Sequence, residues 1–272
     1  MRKIVTFILL AFVCISCSAK KNNQEPVVKF KTTSGNIVVK LYAETPKHRD
    51  NFVKLVESGF YDGVLFHRVI ADFMIQAGDP ESKTAKHGQM LGSGDVGYRI
   101  PAEFVYPKYY HKKGVLAAAR EGDQVNPRQE SSGCQFYIVQ GKIFTDDQLN
   151  AMEKSKERKI EAKIFQEMMN AKKDVLNKYK QEGNKLKIDE LRDSVMIAVR
   201  ESMKQNQSWK FTEQQRKDYK TIGGTPHLDG AYTVFGEVIE GMDIVTLISK
   251  AKTSETDRPV DDIRVIKAKR IR

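Results

Sequence analysis

Short runs of β-forming apolar residues, broken by polar turns, occupy both ends of the chain, and a long stretch of helical spacing lies between them. Val27-Val28-Lys29-Phe30 and Asn36-Ile37-Val38-Val39-Lys40-Leu41 predict two strands joined as a hairpin through Thr32 to Gly35. Thr45-Pro46 supplies an N-cap and a proline at the first helical position. Phe52, Val53, Leu55 and Val56 then give that helix an inward face, which Gly59 ends. Val69, Ile70, Phe73, Met74 and Ile75 have the density of a buried strand pair. The small apolar run Gly114 to Ala119 suits a strand against which another backbone can lie, and Phe136 to Val139 continues the strand pattern. Gly241 to Lys250 predicts a helix with Ile244, Val245, Leu247 and Ile248 on one side, and Ile263 to Ala268 a last strand.

From Thr145 to Lys220 the strand pattern stops. With Asp146 as N-cap, helical spacing runs through Leu149, Met152, Ile160, Ile164, Met168, Val175 and Tyr179 to a turn at Gly183-Asn184. Ile188, Leu191, Val195, Ala198, Val199 and Met203 repeat the pattern, so an antiparallel helix pair is predicted, its methionine-bearing stripe forming the pair's own core. The segment reads as an inserted, separable arm. Residues 27–144 and 221–272 form the body that carries it.

Met1-Arg2-Lys3 and the apolar run Ile4 to Val13 have the form of a secretory signal, well short of the roughly 20 residues that a membrane span needs. Cys14-Ile15-Ser16-Cys17 spells CxxC at the end of this leader, away from any βαβ unit, so it carries no redox reading. Ser16-Cys17 resembles a bacterial lipobox, although Cys14 stands where leucine is usual. That resemblance implies lipidation of Cys17, a leader over 1–17, a polar tether over 18–26, and anchoring to a membrane of the bacterial cell envelope, facing the periplasm or the cell surface. Cys134 is then the only other thiol, which excludes an intramolecular disulfide framework and predicts a small buried residue. The 272 residues carry a formal charge of +11. Basic residues are spread and interleaved with acids, unlike a nucleic-acid footprint, so no nucleic-acid partner is expected.

Arg68 is set among the apolar residues of the stretch Phe66 to Asp79, and Gln76 follows eight positions later. An unbroken strand would place both on one face, with Ala71-Asp72 as the bend, giving an apolar slot with a guanidinium and an amide at its rim. Gly92-Ser93-Gly94-Asp95-Val96-Gly97 satisfies GxGxxG, but no strand leads in and no helix follows, so a dinucleotide is excluded. Histidines 48, 67, 87, 111 and 227 lack metal-ligand spacing, and no serine or cysteine nucleophile sits in a recognisable motif. Neither cofactor nor metal is expected.

The run Phe66-His67-Arg68-Val69-Ile70, two residues, Phe73-Met74-Ile75-Gln76 closely resembles the signature strand pair of the cyclophilins, the peptidyl-prolyl cis-trans isomerases. Ser132-Gly133-Cys134-Gln135-Phe136-Tyr137-Ile138 is similar to the family's second block, with Cys134 for serine and Tyr137 for phenylalanine, and Leu228-Asp229-Gly230 through Val234-Phe235-Gly236 to its third. The resemblance implies a mainly β fold with α: a closed eight-stranded antiparallel barrel capped by two helices, here with the helical hairpin inserted. It implies isomerisation of X-Pro bonds in proline-containing polypeptides, with Arg68 as the catalytic donor. Phe73, Met74, Tyr137, Leu228 and Tyr232 would form the proline pocket, Gln76, Ala119 and Arg120 would contact the substrate backbone, Gln135 would be a second amide in the groove, and His227 a further substrate-binding residue. Arg120 departs from the usual asparagine, Tyr232 stands where many members have histidine, and His227 where some have tryptophan. The competing reading is a non-catalytic, membrane-tethered chaperone or scaffold that binds proline-containing segments.

Overall fold

The structure is a computed structural model that describes residues 25–205, 207 and 209–272. Cys17, the leader and most of the tether lie outside the described residues. The first hairpin forms where the alternation places it, as β1 (Val27–Thr32) and β2 (Gly35–Leu41), with Val28 opposite Val39 and Phe30 opposite Ile37. It leads into α1 (Pro46–Glu57). Thr45 is the N-cap residue, yet its side chain makes no capping bond. The carboxylate of Glu103, far along the chain, accepts from the backbone N–H groups of Lys47 at 3.1 Å and His48 at 3.0 Å and so satisfies that helix end.

The remaining strands are β3 (Phe66–Ile70), β4 (Met74–Ala77), β5 (Arg99–Ile100), β6 (Val115–Ala118), β7 (Ser131–Ser132), β8 (Phe136–Val139), β9 (Val234–Glu240) and β10 (Val265–Arg270). Eight of them form one antiparallel sheet in the order β10-β1-β2-β9-β6-β8-β4-β3, while β5 pairs with β7 alone. The sheet curls. Just ahead of its two outer strands, Val265 N–H donates to Val64 O at 2.8 Å and Phe66 N–H to Ile263 O at 2.9 Å. Alternation sorts the side chains. Phe30, Ile75, Phe136, Ile138, Leu116 and Phe235 point into one core with Phe52 of α1, whereas Met74, Tyr137, Val139, Val115 and Ala117 face the other side. The inner core is an aromatic cluster in which Phe52 meets Phe136 edge to face at 5.3 Å. Cys134 lies in it, 2% exposed, where burial pushes its thiol up to about 11 and leaves it unreactive. The second predicted helix is α6 (Met242–Ser249), with Val245 and Ile248 buried in the same core.

In the inserted stretch the helices are α2 (Asp146–Ala171), α3 (Lys173–Gln181), α4 (Lys185–Gln205) and α5 (Glu213–Thr221). The N-cap of α2 is Thr145 rather than Asp146, because Thr145 and Gln148 form a reciprocal capping box, and Thr212 and Gln215 repeat the device on α5. The first predicted helix is broken at Lys172 into α2 and α3. Two cores serve this region. Met169, Val195, Val199, Met203 and Trp209 seal the distal helix pair upon itself. Leu149, Phe211 and Tyr219 pack instead with Phe144 and Tyr110 of the body. The periodicity argument did not reach α5. It is amphipathic over too few residues, and its buried Tyr219 looks polar in sequence. Among the described residues no helix is long and apolar enough to cross a membrane.

Candidate active site

Arg68 and Gln76 do share a face, but they reach it across a hairpin rather than along one strand. Asp72 takes a φ of 58° in the turn, and Arg68 pairs with Gln76, Gln76 with Tyr137, and Tyr137 with Ala117 in successive strands. Arg68, Gln76 and Tyr137 of this row line an open cleft of about 420 Å³. Phe73, Met74 and Leu228 line it with Tyr137, and Ala119, Arg120 and Tyr232 stand along one wall. Nine of the residues singled out in the sequence therefore meet here.

The amides are arranged by a strict accounting of donors. Carbonyl oxygens of Gly92 and Gly94 can only accept, and Gln135 Nε2 lies 2.9 and 2.8 Å from them. Gln135 Oε1 must then face Gln76, whose Nε2 donates to it at 2.9 Å. Gln76 is left with its oxygen open toward the cleft, as an acceptor. Gln135, 7% exposed, lines the neighbouring cavity of about 230 Å³ and not the main cleft; its place is behind Gln76, which it orients.

The guanidinium of Arg68 lies at the rim, its side chain 42% exposed, with Nε 3.4 Å from Asp257 Oδ2. Among the described residues its Nη groups have no hydrogen-bond partner. Arg120 is held much more firmly. Its Nε donates to Ala231 O at 2.8 Å, its Nη1 pairs with Asp123 at 2.7 Å, and its guanidinium lies 4.3 Å from the Tyr232 ring centroid. The side chain of Arg120 therefore braces the wall of the cleft. Ala119 has already spent its backbone groups, N–H on Gln135 O and C=O on Ser132 N–H, whereas the backbone of Arg120 has no partner among the described residues. The backbone groups left open beside the cleft are therefore those of Arg120 rather than Ala119. His227 is outside the cleft, exposed, and tilted against Phe73 at 5.4 Å between ring centroids.

Three residues that sequence reasoning passed over stand beneath the floor. Tyr137 Oη lies 2.9 Å from His111 Nε2, His111 Nδ1 lies 3.2 Å from Asp229 Oδ1, and Tyr219 Oη donates to Asp229 Oδ2 at 2.7 Å. The only available signal was Tyr137 itself, whose hydroxyl, replacing a phenylalanine hydrogen of the family pattern, requires a partner when buried.

His67 borders the cleft at 3% exposure, and neither ring nitrogen has a hydrogen-bond partner among the described residues. Burial pushes it down from 6.5 to about 4, so it is neutral at physiological pH. Between those two values the unfolded chain holds the extra proton. Its contribution to stability is complete above about pH 6.5 and is lost as the pH falls toward 4, a change of roughly 3 kcal/mol. His67→Phe should remove that part of the acid-side slope. Urea midpoints of both proteins at pH 7 and pH 4.5 test it, and equal slopes would refute the assignment.

The sequence profile of the family described as cyclophilin type peptidyl-prolyl cis-trans isomerase/CLD matches residues 27–270. A Staphylococcus haemolyticus protein assigned to the peptidyl-prolyl cis-trans isomerases is 29% identical over 244 residues, 89% of each chain. The Bos taurus peptidyl-prolyl cis-trans isomerase-like 1 is 26% identical over 246 residues, covering 90% of this chain and 92% of its own. In fold, the chain resembles a crystal structure of a Cryptosporidium parvum cyclophilin type peptidyl-prolyl cis-trans isomerase, with a TM-score of 0.51 at 19% identity over 91% of this chain and 98% of that one. With the profile running from β1 to β10, through the strands that align Arg68, Gln76 and Tyr137, the chain belongs to the cyclophilin-type peptidyl-prolyl cis-trans isomerases.

Proposed function

We propose that the cleft turns X-Pro bonds by stabilising the twisted amide, with Arg68 as the donor. The X-Pro bond prefers trans by only about 0.5–1 kcal/mol, so the obstacle is the barrier of about 20 kcal/mol. Reaching a turnover on the order of 10³ s⁻¹ requires about 7 kcal/mol of transition-state stabilisation. As the amide twists, its nitrogen regains a lone pair that neither planar form presents. A guanidinium N–H aimed at it binds the twisted state selectively. The free Nη groups of Arg68, in register with Gln76 over an apolar floor, are the observation that carries this reading.

Phe73, Met74, Tyr137 and Leu228 hold the proline ring, Gln76 Oε1 accepts from the substrate main chain, and the backbone of Arg120 pairs with the residues beyond. The fold supports this rigidity best as a closed barrel, a reading favoured by the Val64–Val265 and Phe66–Ile263 hydrogen bonds between its outer strands. The purified chain should accelerate cis-to-trans exchange of a short X-Pro peptide. Absence of acceleration with intact peptide binding would favour the scaffold reading instead.

The leader pattern supports a place in a bacterial envelope, where Cys17 carries lipid and proline-containing envelope proteins are the clients. Palmitate labelling tests the anchor. Cys17→Ser should abolish labelling and release the chain from the membrane fraction; unchanged labelling would discard it.

A further inference from the structure

We infer that Tyr219, contributed by the inserted segment, is a positioning residue for isomerisation, acting on the floor of the cleft through Asp229, His111 and Tyr137. All four groups are removed from water: Tyr219 and His111 are 0% exposed, Tyr137 4%, and the side chain of Asp229 0%. The direction of each hydrogen bond follows from the one group that can only accept. The Asp229 carboxylate takes the His111 backbone N–H at 2.8 Å on Oδ1 and the Tyr219 hydroxyl at 2.7 Å on Oδ2. In the neutral tautomer that turns Nδ1–H of His111 to the same carboxylate, 3.2 Å away, Nε2 is an acceptor and the Tyr137 hydroxyl donates to it at 2.9 Å.

The Tyr137 hydroxyl is therefore engaged from below, and the ring is locked nearly parallel to the imidazole, at 14°, with Tyr232 edge-on at 6.1 Å. A phenylalanine floor would need no such support. Here the hydroxyl makes the orientation of the floor depend on how Asp229 is held, and one of the donors that holds it comes from α5 of the insertion. Burial raises the hydroxyl of Tyr219, and that of Tyr137, well above the ordinary tyrosine value, so both keep their protons at neutral pH. The insertion thus reaches the reacting ring without touching substrate.

Tyr219→Phe deletes one oxygen and keeps the ring packed against Phe144 and Phe211. Its expected effect on a short X-Pro peptide is a kcat lower by roughly 5- to 10-fold, a part of the worth of one charge-assisted buried hydrogen bond because it acts on the floor indirectly, with KM little changed because the rim groups remain. In a Tyr137→Phe background the same substitution should cost less than about twofold, since no hydroxyl then links the floor to His111. Tyr110→Phe, which removes a hydroxyl bonded to Asp218 on the same helix, should leave turnover unchanged. The ring ¹⁵N resonances of His111, which require no turnover, should shift in Tyr219→Phe and stay in Tyr110→Phe. Unchanged kcat, a full-sized effect in the Tyr137→Phe background, or unmoved His111 resonances would each overturn the proposal. Wild-type turnover in the same assay tests the isomerase assignment separately.

Discussion

Arg68→Ala should lower kcat/KM on a short X-Pro peptide by roughly 10² to 10³, the loss expected when one preorganised transition-state donor is removed. Its side chain is 42% exposed and its ion pair to Asp257 is at the surface, so the fold loses little by its removal and the melting temperature should hold. Peptide affinity should change much less than turnover. On the proposed mechanism Phe73, Met74, Tyr137 and Leu228, which line the cleft, would hold the proline ring, and the guanidinium would contribute mainly to the twisted state. Arg68→Lys should restore little, because an ammonium is a compact point charge on a flexible stem and cannot both face Asp257 through one nitrogen and present another to the substrate. Measuring kcat and KM for the three proteins, with circular dichroism to establish folding, decides the matter. A folded Arg68→Ala protein with full turnover would remove Arg68 from the mechanism.

Excising residues 145–220 and bridging the gap with a Gly/Ser linker should unfold or severely destabilise the body, contrary to the separable arm suggested by the sequence pattern. The cut removes Leu149 and Tyr219, both 0% exposed, and Phe211, 6% exposed, from the cluster that covers Phe144. Losses of such side chains cost about 2–5 kcal/mol each, against a net stability of about 5–15 kcal/mol for a whole domain. Asp229 would also lose the Tyr219 hydroxyl in a buried setting. A shorter cut across 160–205 spares that cluster and destroys only the distal core. It should leave peptide turnover within about twofold, since the retained cluster still supports the floor. Trp209, the only tryptophan of the chain, is kept by the shorter cut and reports the loss of the distal core: its emission should shift to the red of the intact chain's while the β-sheet signal persists. Equal stability of the two excised proteins would show that the proximal cluster does not bind the insertion to the body.

The antiparallel strands, α1, α6 and the distal helix pair were legible in the chain because each has a period that one buried face imposes: two along a strand, 3.6 along a helix. The block Phe66 to Gln76 likewise pointed to a guanidinium and an amide at one apolar slot, since few arrangements can accommodate an arginine among Val69, Ile70, Phe73 and Met74. Tertiary structure decided what depends on partners distant in sequence. Gln135 moved from the cleft to the support of Gln76 because the Gly92 and Gly94 carbonyls claim its donors. Arg120 became a brace on Tyr232 because Ala231 and Asp123 fix its guanidinium. His111 and Tyr219 have no local pattern, and the Leu228-Asp229-Gly230 block gives no sign of what Asp229 meets. They join only when the chain brings residues 111, 137, 219 and 229 to one place, where a buried hydroxyl must find an acceptor and a buried carboxylate its donors. Periodicity records which face of an element meets the core, and hydrogen-bond satisfaction in three dimensions decides which polar groups answer one another across it.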